Sequence, residues 1–334
     1  MLDDPILRIE GLSAQFDTPE GAVKAVKDVS LSLRRGATLA LTGESGAGKT
    51  SVGLALLNLL PYPGRITAGR VYLNDTDILT LPPEELRQLR GRDIAMVFQD
   101  PATGLNPVLS VGTQVEEIIT AHLSVSKREA RDRSLEVLAQ IGLPNPKEVA
   151  RSYPFHLSGG MAQRVMIAIA TALNPKVLIA DEPTSALDVT IQAVILDDLR
   201  QLQQRFGTSI LLISHDLGVV ARMADETAVM YAGSVVEYGD TRAVFQRPRH
   251  PYTWALLGSR PRWDQDQLKP LPAIRGAAPN LAELPVECPY LPRCPKATNV
   301  CRTEPAPTLT ELEPDHSAAC YNPILHSNGD GGFN

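Results

Sequence analysis

The first 287 residues contain no cysteine; all four cysteines lie between positions 288 and 320. Cysteines scattered through a core would not gather in this way, so the C-terminal segment is expected to carry chemistry of its own. No long apolar run exists either. The longest candidate, residues 52–60, falls well short of the ~18 residues that span a bilayer, and no membrane-crossing helix is expected. Positive charge is not in excess: the net charge is −6 and the pI about 5.6, which disfavours a nucleic-acid partner. The opening residues, Met1 to Asp4, lack the basic start of a secretion signal. The remaining composition, 43% apolar and 21% charged over 334 residues, is that of a soluble globular chain with one large or two smaller domains. The expected location is the cytoplasm, with any membrane attachment made through a partner.

Residues 43–50 read GESGAGKT and fit G-x-x-x-x-G-K-[ST]. The loop runs from Gly43 through Glu44, Ser45, Gly46, Ala47 and Gly48 to Lys49 and Thr50, with Ser51 next. Small residues let the backbone curl so that several N–H groups face an anion. Lys49 supplies a mobile positive charge for the outer phosphates of ATP, and the Thr50 hydroxyl is a hard oxygen ligand for Mg2+. An apolar run at 38–42 precedes the loop, and residues 50–60 read as a helix. That order places a helix N-terminus at the phosphates. A glycine-rich turn with a chance Lys-Thr is the plain alternative.

Residues 7–10, 22–26 and 29–33 alternate as antiparallel strands. Phe16, 33 positions before Lys49, either stacks on a base or belongs to the core. Strands are expected at 71–73 and 94–98, with a helix at 82–89 between them. Gln99 follows the second strand, placed to orient a water or touch Mg2+, or simply as a polar loop residue. Residues 111–122 and 127–141 carry helical spacing, which Asn145 and Pro146 break. At 157–164 the chain reads LSGGMAQR. Ser158, Gly159 and Gly160 there open an apolar helix and offer a second anion site, or merely a flexible cap. Residues 177–182, VLIADE, form a buried strand ending in two carboxylates, at the end where open α/β sheets bind ligands. Asp181 suits Mg2+; Glu182 suits a general base that polarises the attacking water; a pair of solvated acids is the alternative. Residues 185–188 lead to Asp188 and a helix at 189–206. Another buried strand, 209–215, ends on His215, which suits a hydrogen bond to a γ-phosphate or a structural role. Strands at 227–231 and 234–237 follow.

Taken together, the phosphate loop, Gln99, LSGGMAQR, the Asp181–Glu182 strand, Asp188 and His215 resemble the ATP-binding subunits of ABC transporters in type, order and spacing. The resemblance covers about residues 5–260. Its most specific element is LSGGMAQR. It implies an α/β P-loop NTPase: a RecA-like core, an antiparallel β lobe, and a helical lobe at about 105–165, within a nucleotide-binding domain at 1–260. It further implies a head-to-tail dimer holding two ATP molecules, in which Ser158 and Gly160 face the partner's nucleotide and Asp188 reaches across. Glu182, Gln99 and His215 would be catalytic, and Phe16 the adenine-stacking residue. GLNPV at 104–108 and the segment Arg249, His250, Pro251, Tyr252, Thr253 resemble the oligopeptide, dipeptide and nickel importers within that family. Those subunits usually pair with a second, different ATPase beneath two transmembrane permeases, and an extracytoplasmic binding protein delivers cargo. This implies a peripheral place on the cytoplasmic face, with residues 100–107 near the permease. Nickel chelates, glutathione and oligosaccharides are alternative cargoes. A soluble relative acting in DNA repair or translation would usually carry long coiled-coil insertions or fused cassettes, and this chain has neither.

The segment 261–334 is expected to form an extension with a metal site. Cys288, Cys294, Cys301 and Cys320 are spaced C-x5-C-x6-C-x18-C, and Pro292-Arg293-Cys294 and His316 lie among them. A reducing cytosol disfavours disulfides. The wide spacing departs from the close cysteine pairs of structural Zn2+ sites and suits an iron–sulfur centre, with zinc and free thiols left open. The resemblance to dipeptide importer subunits implies a [4Fe–4S] cluster with a structural or sensing role. Residues 322–334, rich in Gly and Asn, are expected to be a frayed end.

Overall fold

Short aliphatic runs and well-placed caps account for most elements of the computed structural model, which describes residues 4–185, 187–259 and 273–325. The expected boundary near 260 and residues 326–334 of the expected frayed end lie outside the described residues; residues 322–325 of that end are instead held in place, the Ile324 N–H donating to the Arg249 carbonyl and the Arg249 guanidinium to the Ile324 carbonyl, both at 2.8 Å. In chain order the elements are β1 (Pro5–Thr18), β2 (Gly21–Arg34), β3 (Thr38–Thr42), α1 (Lys49–Leu56), β4 (Gly64–Leu73), β5 (Thr76–Asp77), α2 (Pro83–Leu89), β6 (Ile94–Val97), α3 (Pro101–Gly104), α4 (Val111–His122), α5 (Lys127–Gln140) and α6 (Pro146–Arg151). They continue with α7 (Gly159–Thr171), β7 (Val177–Asp181), α8 (Val189–Phe206), β8 (Ser209–Ile213), α9 (Leu217–Met223), β9 (Glu226–Tyr231), β10 (Ser234–Asp240), α10 (Thr241–Gln246), α11 (Pro251–Gly258), α12 (Val300–Thr303), β11 (Thr310–Glu313) and β12 (His316–Ala318). Two compact units divide them. One takes in the chain up to Arg8, Ser32–Thr38 and Val71–Ile213; the other takes in Ile9–Leu31, Leu39–Arg70 and the chain from Ser214 onward.

In the first unit β6, β7 and β8 are parallel neighbours, with Ile94 opposite Val177 and Asp181 opposite Ile213. Every residue of the three strands is buried. Continuous Val, Ile and Leu runs of this kind belong to strands covered on both faces. Around them, Ser110 and Ser126 cap α4 and α5 by accepting the backbone N–H of Thr113 and of Glu129. Helix α8 buries the stripe Ile195, Leu196, Leu199 and Leu202. The proline expected to break the helical pattern instead begins a helix. Pro146 sits in the first turn of α6, where its fixed φ is favourable and its missing N–H costs no hydrogen bond.

In the second unit β3 runs parallel to β9, and β9, β10, β12 and β11 continue antiparallel in that order. The C-terminal segment therefore extends the sheet that carries the strand leading to the phosphate loop. Strands β2, β1 and β4 neighbour one another in that order. Several expected bounds change. Helix α1 ends at Leu56 rather than residue 60, because Asn58 turns left-handed (φ 50°) ahead of Pro61 and Pro63. Strand β4 begins at Gly64 rather than 71, and β6 stops at Val97, leaving Phe98 exposed. Strand β8 likewise ends at Ile213, two residues before His215. Among the described residues no helix is long and apolar enough to cross a membrane.

Candidate active site

The phosphate loop joins β3 to α1 in the second unit. Two glycines are obligatory there. Gly43 has φ 146°, and a Cβ on it would lie 2.2 Å from the Met230 carbonyl oxygen. Gly48, the N-cap of α1, has φ 98°, and a Cβ there would lie 2.0 Å from the Ala25 carbonyl oxygen. Lys49 is 6% exposed, and its ammonium donates to the carbonyl oxygens of Gly43 and Glu44, both at 2.9 Å. The charge is thus already held over the loop it serves. Ser45, Gly46 and Thr50 are exposed, while Ala47 is buried and Ser51 half-buried.

Glu44 is tied down at both its backbone and its side chain. Its N–H donates to the Tyr252 hydroxyl at 2.8 Å. Its carboxylate receives both terminal nitrogens of Arg293, at 2.8 and 3.0 Å. Sequence reading missed both partners, which lie 208 and 249 positions away. The His-Pro-Tyr segment was visible only as a motif without a task. Phe16 is half-buried on β1, its ring against the backbone of Gly64, on which a Cβ would sit 2.7 Å from the ring. His215 is exposed just before Asp216, which caps α9 by accepting the Gly218 N–H at 2.7 Å.

The carboxylates lie in the first unit. Asp181 closes β7 and is 2% exposed. Glu182 follows in the left-handed region (φ 46°), and its N–H donates to the Ile213 carbonyl at 2.8 Å. A non-glycine residue held in that region costs about 1–3 kcal/mol, the kind of strain that gathers at working sites. The Gln99 amide donates to a Glu182 carboxylate oxygen at 2.9 Å, so two residues proposed independently from the sequence meet. Ser158 caps α7 by accepting the Met161 N–H at 3.4 Å. Gly160 presses on α8, where a Cβ would sit 2.7 Å from Ile191, and Gly159 faces Leu187. Asp188 caps α8 through the N–H groups of Thr190 and Ile191, both at 3.0 Å.

Cys288, Cys294, Cys301 and Cys320 line one cavity of about 20 Å3, together with His250 and Tyr290. Burial pushes the thiols of Cys288 and Cys294 up, and that of Cys320 to about 11, so these three are protonated at neutral pH. Among the described residues no group of three or more His, Cys, Asp or Glu side chains is arranged to hold a metal ion. The spacing thus placed the cysteines together correctly, but the four-thiolate ligand set is not formed. Thiol side chains suit a metal as donors, and the cavity these four line holds about one water.

His250 shapes this end of the second unit. Burial holds its imidazole down to about 4 from the ordinary 6.5, against the opposing pull of Glu237 and the Ala319 backbone. Its neutral Nδ1 accepts the Tyr252 N–H at 3.0 Å and caps α11. The unfolded chain takes up this proton near pH 6.5, whereas the folded chain resists it until about pH 4. The stability is therefore present above pH 6.5 and lost as pH falls toward 4, by about 3 kcal/mol for this one group. In NMR titration the folded chain's His250 ring should remain neutral at pH 5; a ring protonated there would contradict the account.

Comparison with known proteins places these features. Residues 26–185 match the ABC transporter family, and residues 236–301 match the oligopeptide/dipeptide transporter C-terminal region. The oligopeptide transport ATP-binding protein OppD of Escherichia coli is 46% identical over 321 residues, 96% of this chain and 94% of that one. The chain belongs to the ABC transporter family. Within this ABC family, the dipeptide transport ATP-binding protein DppD of Escherichia coli is 44% identical over 96% of this chain and 97% of its own. Among solved ABC structures, the ATP-binding cassette MJ0796 in a dimeric post-hydrolysis state bound to ADP and Pi is 30% identical, with a TM-score of 0.64. It covers 71% of this chain and 99% of its own. The structure of cbiO1 from Clostridium perfringens gives 28% identity and a TM-score of 0.61, over 73% of this chain and 91% of its own. The fold is that of a P-loop NTPase, as the sequence implied. The second matched region spans both Tyr252 and Arg293, the C-terminal residues found at the phosphate loop.

Proposed function

We propose that this chain is the ATP-hydrolysing subunit that energises an ABC importer of peptides. The observation that carries the reading is 44–46% identity to oligopeptide and dipeptide transport ATP-binding proteins over nearly the whole chain. The intact loop and the Gln99–Glu182 pair support it. The N–H groups of residues 43–48 and Lys49 bind the phosphates of ATP. Thr50, Gln99 and Asp181 serve Mg2+ with oxygen ligands. Glu182, held by Gln99, takes a proton from the attacking water, and His215 donates to the γ-phosphate. Phe16 stacks on the adenine. Ser158, Gly159, Gly160 and Asp188 serve the nucleotide of a second ATPase subunit, so their capping bonds are a resting arrangement of the same groups.

The subunit works peripherally on the cytoplasmic face, beneath two transmembrane permeases contacted near residues 100–107, with an extracytoplasmic binding protein delivering cargo. The nucleotide-binding domain spans 1–260 and the extension 261–334. Within the extension the four cysteines gather a metal centre when one is supplied, a [4Fe–4S] cluster ahead of Zn2+. Their shared cavity supports this, and the loops around it would have to part.

Two experiments test these assignments. Cells whose only copy of the subunit is the Glu182→Gln chain should lose uptake of radiolabelled tripeptide while still making the protein; unimpaired uptake would refute the importer reading. Anaerobically purified parent chain should contain iron and acid-labile sulfide with broad visible absorbance, and Cys301→Ser should lose both. A colourless, iron-free parent would remove the cluster.

A further inference from the structure

A phosphate loop exists to receive a polyanion, yet this one carries a carboxylate at its second position. Left alone, the Glu44 charge would oppose the ligand. In the structure it is not left alone. The Arg293 guanidinium meets both of its oxygens in the fork geometry that matches carboxylates, and Arg293 is itself 6% exposed. Arg293 is further fixed by donating to the Arg275 carbonyl at 2.9 Å and to the Tyr231 hydroxyl at 3.2 Å. The hydroxyl that takes the Glu44 N–H belongs to Tyr252. That ring stands in an aromatic cluster with Tyr231 and Tyr290, at centroid separations of 4.6 and 5.4 Å. Tyr290 and Arg293 both lie between Cys288 and Cys294. The loop is therefore gripped by side chains from the C-terminal part of the chain, one by charge and one by backbone hydrogen bond.

We infer that Arg293 and Tyr252 are positioning residues for nucleotide binding: Arg293 cancels the Glu44 charge and, with Tyr252, holds the phosphate loop in its receiving shape. This rests on the proposed role of the loop in binding ATP. In this inference Arg293 acts through Glu44. The C-terminal segment, which has no phosphate-binding motif, thereby sets the affinity of the site.

The test is equilibrium binding of fluorescent ATP, ADP and AMP analogues to the full chain and to Arg293→Met, Arg293→Lys, Glu44→Gln and the Arg293→Met, Glu44→Gln double variant. The parent must bind ATP; if it does not, the functional reading itself fails, separately from this inference. Given binding, Arg293→Met should weaken ATP by ~10-fold or more, because it strips the partner from a charge beside the ligand. The loss should shrink from ATP to ADP to AMP as ligand charge falls. Arg293→Lys should lose less, since it keeps the charge but not the fork. The double variant should regain most of the loss. In turnover, Arg293→Met should raise KM for ATP with kcat little changed. Affinity unchanged in Arg293→Met would overturn the inference. So would a loss that is equal for all three nucleotides and not restored by Glu44→Gln, because that pattern marks a general structural defect. A measurement on the parent needs no variant: coupling is reciprocal, so saturating ADP should slow amide exchange at residues 291, 293 and 294, and unaltered exchange there would equally overturn it.

Discussion

The Glu182→Gln chain should bind ATP and fail to hydrolyse it, with turnover reduced by about 10^2–10^4-fold. The substitution keeps shape and volume. A glutamine carbonyl can still accept the Gln99 amide, which in the parent lies 2.9 Å from the carboxylate. The left-handed backbone at this position is already accommodated, with its N–H bonded to Ile213. What disappears is the carboxylate oxygen proposed to take a proton from water. Binding and catalysis should therefore separate: fluorescent ATP binds with near-parental affinity, while phosphate release in a single-turnover assay nearly stops. ATP-bound chains should also accumulate as closed dimers in size-exclusion chromatography. Hydrolysis at the parental rate would show that Glu182 is not the base.

Lys49→Ala acts at the other step. The ammonium is almost fully buried and hydrogen-bonded to two loop carbonyls. It is the only basic side chain within residues 43–50. Hydrogen bonds to charged groups contribute about 1.5–3 kcal/mol each, so losing the contact to the phosphates should weaken ATP binding by roughly 10–100-fold. The effect should be smaller for AMP, which lacks the outer phosphates. Isothermal titration checks it. Parental affinity and turnover would remove Lys49 from the phosphate site.

These residues were legible because their chemistry demands short, ordered patterns. A loop that must avoid Cβ atoms at Gly43 and Gly48 needs glycine there, and a buried strand ending in two acids needs the run from Val177 to Glu182. Fold was harder wherever a signal had two meanings. Pro146 read as a breaker and proved to be a helix start. Strand β11, Thr310–Glu313, is largely exposed and carries little apolar pattern, so neither it nor its pairing with β12 was foreseen. The grip on Glu44 was invisible for a different reason. Arg293 and Tyr252 reach it from remote parts of the chain, and no local pattern records such a meeting. The cysteines fall between these cases: their clustering in sequence foretold a shared cavity but not whether the thiols would form a ligand set.

A chain that drives an importer does not work alone. Affinity purification of the tagged subunit from native membranes in mild detergent, with mass spectrometry of its companions, tests this most directly. Two multi-spanning permeases and a second ATPase subunit should accompany it in comparable amounts. A chain recovered alone, or with ribosomes or nucleic acid, would contradict it.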